Sequence, residues 1–245
     1  MALRCSVIVC AHNEADFLAG CLHSLRAQSR PPDEILVVDN ASTDGTRLVA
    51  EGIAGVRVAR EPRKGLTIAR ETGRRHATGD VLVYVDADCR PPLDWLQRVE
   101  ERFRRDPGMV AQSGPYRYYD WDWRGRWLIR AYDLTLAPAT QILVKHLLRA
   151  GTIFYGGNFA VRREALEHIG GFDTSIEFHG EDTNVGRRLC AVGRVSLAPS
   201  CWVYTSARRF VAMGTGAVVR LYVRNFTSEI LYHRPKDRSH VDVRS

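Results

Sequence analysis

The amino-acid sequence predicts an α/β fold in which a mostly parallel, Rossmann-like sheet is flanked by helices. Short apolar runs recur through the N-terminal half and are rich in β-branched residues, as is typical of strands buried on both faces. Amphipathic helical segments alternate with these runs. Strands that alternate with helices in this way favour parallel pairing with right-handed crossovers.

The elements of the N-terminal half follow in a regular order. Strands are predicted over residues 5–10, 34–39, 56–59 and 80–86. Helices are predicted over 15–28, 65–77 and 93–105, with another expected after the turn-forming segment 40–46. In the C-terminal half, the pattern indicates a strand over 159–161, helices over 185–190 and 210–232, and a polar tail over 233–245.

Composition limits the class of protein. The chain has 245 residues, of which 45% are hydrophobic, enough for one domain with a sizeable core. It contains no uncharged apolar run of about 18 residues and no secretory signal pattern, so we expect neither a transmembrane helix nor secretion. Six scattered cysteines without a CxxC pair indicate a reduced, cytoplasmic protein. The net charge of +7 weakly favours an anionic partner: a nucleotide sugar, anionic lipid or nucleic acid.

Two carboxylates, Asp86 and Asp88, end the predicted fourth strand. The carboxyl ends of parallel strands are where open α/β sheets bind ligands. Oxygen donors at this place suit a hard divalent cation, whose other ligands would come from a nucleotide diphosphate. The alternative is that both aspartates only form a turn.

Several segments together resemble glycosyltransferase family 2, the inverting family with the GT-A fold. The matching segments, in chain order, are 7–14 (VIVCAHNE), 37–46 (VVDNASTDGT), 64–73 (KGLTIARETG), the DxD at 86–88, 156–161 (GGNFAV), 170–173 (GGFD) and the Glu-Asp pair at 181–182. The resemblance implies a single GT-A domain over 1–232, with a nucleotide-binding half at about 1–115 and an acceptor-binding half at 116–232. It also implies sugar transfer from a UDP- or GDP-linked donor, supported by Mn²⁺ or Mg²⁺.

The resemblance implies roles for particular residues. Asp88 and Asp86 would hold the metal. The nucleotide-sugar site would comprise Ala11, Asn13, Glu14, Asp39, Lys64, Arg70, Asp86, Ala87, Arg208 and Arg209. Ala11 stands where the family usually has proline, and Tyr204 and Thr205 stand where some members have a third metal ligand. The structural alternatives are helix capping for Asp39, a solvated helix position for Arg70 and a solvated turn for Arg208 and Arg209.

The second half would complete the chemistry. Inversion needs a base for the acceptor hydroxyl, and the resemblance assigns that role to Asp182. Gly157, Asn158 and Glu181 would bind the acceptor. The alternatives are that Glu181 and Asp182 serve only to stabilise the N-terminus of a helix through its dipole, and that Gly157 lies in a loop without a binding role.

The segment 116–130 (YRYYDWDWRGRWLIR) interleaves tryptophan, tyrosine and arginine. Such a mixture is typical of membrane interfaces, so a lipid-linked acceptor and peripheral contact with the inner face of the membrane are expected. A saccharide acceptor remains the alternative, because aromatic rings also stack on sugars or fill cores. Nucleic acid is not expected, because no base-stacking or groove-reading motif is present.

Three other functions compete with sugar transfer. A nucleotidyltransferase shares the acidic metal site but would have a glycine-rich loop after the first strand, where this chain has His12-Asn13-Glu14. A non-catalytic homologue would lack Asp88 or Asp182, and both are present. A membrane-associated scaffold would bind vesicles without binding a nucleotide.

Overall fold

The N-terminal half folds as the alternating strands and helices that the sequence predicts. The computed structural model describes residues 3–136, 138, 140, 154–176 and 180–232. The first elements are β1 (Cys5–Ala11), α1 (Ala15–Arg26), β2 (Glu34–Asn40), α2 (Thr46–Glu51), β3 (Val56–Glu61), α3 (Leu66–His76), β4 (Val81–Asp86) and α4 (Trp95–Arg105). The predicted tail 233–245 lies outside the described residues.

The C-terminal half adds further strands and helices. These are β5 (Met109–Ser113), β6 (Tyr116–Tyr118), α5 (Trp123–Leu134), β7 (Asn158–Arg162), α6 (Arg163–His168), α7 (Glu181–Cys190), β8 (Arg194–Leu197), β9 (Val203–Thr205), α8 (Arg208–Met213) and α9 (Thr215–Tyr232). The prediction of one helix over 210–232 is wrong, because the chain breaks between α8 and α9. Gly214 lies there with a φ of 80°, a left-handed conformation that glycine adopts without strain.

The main sheet has seven strands in the order β3-β2-β1-β4-β7-β5-β8. β7 runs antiparallel to both β4 and β5, and the other neighbouring pairs are parallel. A separate two-stranded sheet pairs β6 with β9. The sheet is therefore mostly parallel, as predicted, but one reversed strand lies within it.

Apolar side chains cover both faces of the sheet. Along β1, Val7 and Val9 belong to the cluster that includes α1 and α4, whereas Ile8 belongs to the cluster on the opposite face. Each fully buried side chain of this kind contributes roughly 1.5–3 kcal/mol. On the Ile8 face, a Cβ at Gly73 of α3 would lie 2.6 Å from the Ile8 side chain, so the helix packs tightly on the sheet. The core thus holds the strand ends of β1, β2 and β4 in fixed register.

Candidate functional site

The carboxyl ends of β1, β2 and β4 form one edge of the sheet. Ala11 is in register with Asp39 on β2, and Cys10 with Asp86 on β4. Asp39 is buried, and its Oδ1 accepts a hydrogen bond from the backbone N–H of Ser42 at 3.3 Å. The edge therefore brings together three segments that the sequence assigns to nucleotide binding.

Hydrogen bonds connect the loop after β1 to the loop after β2. Asn13, at a φ of 52°, accepts at Oδ1 from the backbone N–H of Thr43 at 2.9 Å. The backbone N–H of Glu14 donates to Thr46 Oγ1 at 2.7 Å. These bonds hold the loop although Ala11 replaces the usual proline. Capping contacts at α2 come from Asp44, whose Oδ1 accepts from the Thr46 N–H at 2.9 Å, so Asp39 is not needed for that role.

Asp88 is buried beside a cationic side chain. Its Oδ1 accepts from Thr205 Oγ1 at 3.2 Å, and its Oδ2 lies 3.2 Å from Arg208 Nη2. Burial raises the pKa of Asp88 to about 7, and the positive charge of Arg208 opposes this rise. The Asp88 carboxylate thus binds one positive charge, that of Arg208, in this structure. Ala87, between the two aspartates, is buried.

Arg208 lies over the sheet edge. Its Nη2 donates to Glu14 Oε1 at 2.6 Å, and its guanidinium lies 4.6 Å from the centre of the Phe17 ring. The solvated-turn alternative is therefore wrong for Arg208. The neighbouring Arg209 instead donates to the hydroxyl of Tyr222 on α9 at 3.2 Å.

Two adjacent glycines join the acidic edge to the start of α7. A Cβ at Gly157 would overlap the Asp86 carboxylate, and a Cβ at Gly156 would lie 3.1 Å from Asp182 Cβ and 3.2 Å from Glu181 Oε1. Only a residue without a side chain fits between these carboxylates. The structure therefore brings the predicted metal residues and the predicted base to opposite sides of one dipeptide.

Arg70 is buried, so the alternative of a solvated helix position is wrong. Its Nη1 donates to Glu181 Oε1 at 3.1 Å, and its Nη2 donates to the carbonyl oxygen of Gly156 at 2.7 Å. Lys64, which precedes the same helix, is exposed. The structure thus places Arg70 against Glu181, a residue predicted to bind the acceptor, and not against a residue predicted to bind the nucleotide.

Glu181 and Asp182 begin α7, as predicted. Asp182 Oδ1 accepts from the backbone N–H of Thr183 at 2.7 Å. Burial, together with the charge of Asp182, raises the pKa of Glu181 to about 7, whereas Arg70 lowers it. Burial also raises the pKa of Asp182, and Arg70 again opposes the rise. A carboxylate whose pKa is raised towards neutrality is suited to accept a proton.

The side-chain amide of Asn158 makes hydrogen bonds that stabilise the fold. Its Nδ2 donates to the carbonyl oxygens of Gly114 and Cys201 at 3.0 and 2.8 Å, and its Oδ1 accepts from Trp95 Nε1 at 3.2 Å. The side chain is only 2% exposed. The structure places the Asn158 amide in the core, where its hydrogen bonds go to other parts of the chain and not to the predicted acceptor site.

Two tyrosines support the glycine dipeptide and were not singled out in the sequence. The hydroxyl of Tyr116 accepts from the Gly157 N–H at 2.7 Å, and the hydroxyl of Tyr155 donates to Asp133 Oδ1 on α5 at 3.0 Å. The two rings meet edge to face with centres 5.5 Å apart. Tyr116 belongs to the aromatic segment, but nothing in the local pattern indicates these contacts.

The residues at the edge fit a divalent cation that is only partly ligated by protein. Asp86 and Asp88 supply hard oxygen donors, and the guanidinium beside Asp88 shows that the pocket accepts positive charge. Among the residues described, no three His, Cys, Asp or Glu side chains converge on one point. A cation here would therefore take further ligands from the diphosphate and water.

Comparisons with known proteins show which chains this one resembles. The family model "Glycosyl transferase family 2" matches residues 6–170. Glycosyltransferase AglE of Haloferax volcanii is 27% identical over 77% of this chain and 62% of its own length. Succinoglycan biosynthesis protein ExoM of Rhizobium meliloti is 29% identical over 82% of this chain and 66% of its own. The chain thus spans less than two thirds of the length of each.

A solved structure shares the fold. The mannosyltransferase PcManGT of Pyrobaculum calidifontis, in complex with GDP-Man and Mn²⁺, superimposes with a TM-score of 0.69. It is 26% identical, and the match covers 94% of this chain and 63% of that one.

Proposed function

The chain belongs to glycosyltransferase family 2 and has the GT-A fold, and from this premise we propose that it transfers a sugar, with inversion, from a UDP- or GDP-linked donor to a lipid-linked or saccharide acceptor. One observation supports this activity above the others. The dipeptide Gly156-Gly157 contacts both Asp86 and Asp182, so a predicted metal ligand and the predicted base lie within one small region of the chain.

The donor nucleotide would lie along the edge formed by β1, β2 and β4. We assign the binding of its base and ribose to Asp39 and to the loop that contains Ala11, Asn13 and Glu14. Ala87 would lie beneath the bound nucleotide sugar. The relative solved with GDP-Man and Mn²⁺ supports this general location through its fold. Arg208 lies near enough to this edge to bind the diphosphate bidentately.

Asp88 and Asp86 would hold Mn²⁺ or Mg²⁺. Such a cation, when bound, neutralises negative charge that develops on the diphosphate as it leaves. Arg208 supplies positive charge from the chain itself at the same place. Its Nη2 now pairs with Asp88 and Glu14, and the N–H groups at Nε and Nη1 could donate to a phosphate.

Asp182 is the base that we assign to the acceptor hydroxyl. The hydroxyl oxygen would form a bond to the anomeric carbon as the bond from that carbon to the diphosphate oxygen breaks, and the hydroxyl proton would pass to Asp182. Displacement from the opposite side inverts the configuration. Glu181, paired with Arg70, would face the acceptor beside Gly157.

A cytoplasmic location also remains a proposal. All six cysteines lie in the described part of the chain and are free thiols, as expected in a reducing compartment.

Nucleotide binding is the first test. Thermal-shift screening with UDP, GDP and dTDP, each with and without Mn²⁺, should show stabilisation by one diphosphate that depends on the metal. The preferred nucleotide then selects the sugar donors for turnover assays. Stabilisation by none of the three, or by nucleoside triphosphates alone, would contradict the proposed activity.

A further inference from the structure

Helix α5 presents an apolar stripe to the outside. Trp123, Trp127 and Leu134 are 63, 67 and 71% exposed. With 3.6 residues per turn, these three positions share one side of the helix, and the less exposed positions 125 and 129 lie on the opposite side. Large exposed indoles in one stripe are unusual on a surface that faces only water.

Arginines flank this stripe on both sides. Arg130 lies along one border and Arg124 along the other, and both are exposed. The only acidic residue in the helix, Asp133, lies on the protein-facing side, where it accepts from Tyr155. The outward surface of α5 therefore combines apolar and cationic side chains without a carboxylate.

The helix is held firmly on the domain. Asp122 caps its start, because its Oδ1 accepts from the Gly125 N–H at 2.6 Å. A Cβ at Gly125 would overlap the indole of Trp121, so the helix lies directly on that ring. Trp121 in turn stacks on Phe210 of α8, with ring centres 4.5 Å apart. Trp123 and Trp127 are thus displayed by a supported helix.

We propose that the outward face of α5, defined by Trp123, Arg124, Trp127, Arg130 and Leu134, docks on an anionic lipid surface. Charge complementarity identifies this occupant: arginines pair with lipid phosphates, while indoles enter the interfacial region between them. No helix in the described part of the chain is long and apolar enough to cross a bilayer, so this contact is peripheral.

Docking would bring the acceptor side of the candidate site to the membrane. Asp133 of α5 binds Tyr155, and Tyr155 immediately precedes Gly156. This docking is independent of the proposed sugar transfer. A second step, that the acceptor is carried at the lipid surface, rests on the proposed function.

Vesicle co-sedimentation tests the docking. The full chain should bind phosphatidylcholine vesicles in which about a third of the lipid is phosphatidylglycerol, and bind much less to phosphatidylcholine alone. Trp123→Ala/Trp127→Ala should weaken binding roughly tenfold or more through lost apolar contact. Arg124→Gln/Arg130→Gln should weaken it about 25-fold, because each basic residue near anionic lipid contributes about fivefold.

Matched control variants distinguish docking through this face from non-specific binding of vesicles to other surfaces. Leu48 and Leu93 are 73 and 65% exposed elsewhere on the domain, so Leu48→Ala/Leu93→Ala should leave binding unchanged. Arg104→Gln/Arg105→Gln on α4 removes the same charge as the arginine pair on α5 and should have less than a threefold effect, well under the fivefold expected for one docked arginine.

Fluorescence quenching locates the contact. Lipids brominated on their acyl chains should quench the parent, whereas Trp123→Phe/Trp127→Phe should still bind but lose most of the quenching. Absence of vesicle binding at low salt, or binding that the α5 variants do not alter, would overturn the docking. Self-association that the Trp→Ala pair abolishes, without vesicle binding, would assign the face to a second copy and also overturn it.

Metal-assisted nucleotide binding, measured on the same variants, keeps the two proposals apart. It should be unchanged by the α5 substitutions, because none of these residues lies at the sheet edge. Loss of vesicle binding with intact nucleotide binding would therefore concern only the docking face.

Discussion

Arg70 Nη1 and Glu181 Oε1 form a buried ion pair, 3.1 Å long, between α3 and the start of α7. The same guanidinium donates to the carbonyl oxygen of Gly156. One positive charge thus binds the glycine dipeptide and opposes the rise that burial causes in the pKa values of both Glu181 and Asp182.

Replacing Arg70 should alter the pH dependence of turnover. A base works when deprotonated, so kcat should rise with pH through the pKa of the Glu181–Asp182 pair. Removing the positive charge raises that pKa, so Arg70→Met should move the rising limb to higher pH and lower kcat at pH 7. Arg70→Lys keeps the charge and should remain closer to the parent. A pH–rate profile for all three proteins, each checked for folding by circular dichroism, measures this.

The same variants decide whether Arg70 also contacts the nucleotide, as the family resemblance implies. A direct charge-assisted contact would be worth about 1.5–3 kcal/mol and would raise the donor KM. The observed contacts favour a change in kcat instead. An unshifted pH profile together with a raised donor KM would contradict this and would show that Arg70 contacts the nucleotide.

Replacing Asp182 should separate binding from chemistry. Asp182→Asn is nearly isosteric, so metal-assisted nucleotide binding should persist while kcat falls by roughly 10²-fold or more. Calorimetry and steady-state turnover provide the two readouts, with Glu181→Gln as the matched comparison. Near-parental turnover in Asp182→Asn would transfer the role of base to another residue.

Replacing Asp88 should remove the effect of metal on nucleotide binding. Asp88→Asn keeps the size of the side chain but removes the negative charge that a cation requires. The thermal shift with Mn²⁺ and the preferred nucleotide should then equal the shift without metal. Equal nucleotide affinity with and without Mn²⁺ in the parent would contradict the assignment before any variant is made.

Replacing Arg208 should have opposite effects on metal and nucleotide. Its guanidinium already pairs with Asp88 and Glu14, so Arg208→Met should tighten the binding of Mn²⁺ alone. The loss of a charge-assisted phosphate contact should weaken nucleotide binding by about 1.5–3 kcal/mol. Calorimetric titration measures both.

Arg209→Met is the matched control for Arg208, because Arg209 donates to Tyr222 on α9. It should change both affinities much less. If Arg208→Met and Arg209→Met change the affinities for Mn²⁺ and nucleotide alike, the ion pairs of Arg208 with Asp88 and Glu14 do not control binding at the sheet edge.

Local sequence patterns predicted the features that depend on neighbouring residues. Asp86 and Asp88 could be placed because a strand of this length ends where its apolar run ends, and parallel neighbours align those ends. Glu181 and Asp182 could be placed at a helix start because carboxylates favour that position.

Features that depend on distant partners could not be predicted in this way. Arg208 meets Glu14 across 194 positions, and Arg70 meets Glu181 across 111. Local patterns could show neither these partners nor that the Asn158 amide binds two distant carbonyl groups. The break at Gly214 had a local signal, Gly214-Thr215-Gly216, but the apolar positions at 210–213 and 217–219 on either side favoured one continuous helix in the prediction.

The reversed strand β7 has a consequence for how the chain reaches its final form. It fills the place between β4 and β5, although it follows both of them in the sequence. During synthesis, one edge of β4 therefore remains unpaired until residues 158–162 have emerged, and an open apolar strand edge invites pairing with other chains. The contacts that close this gap span long stretches of sequence, and pairing of this kind is slow to form. Insertion of β7 is thus a late event that also brings Gly157 to Asp86, so the candidate site is assembled only after most of the sheet has formed.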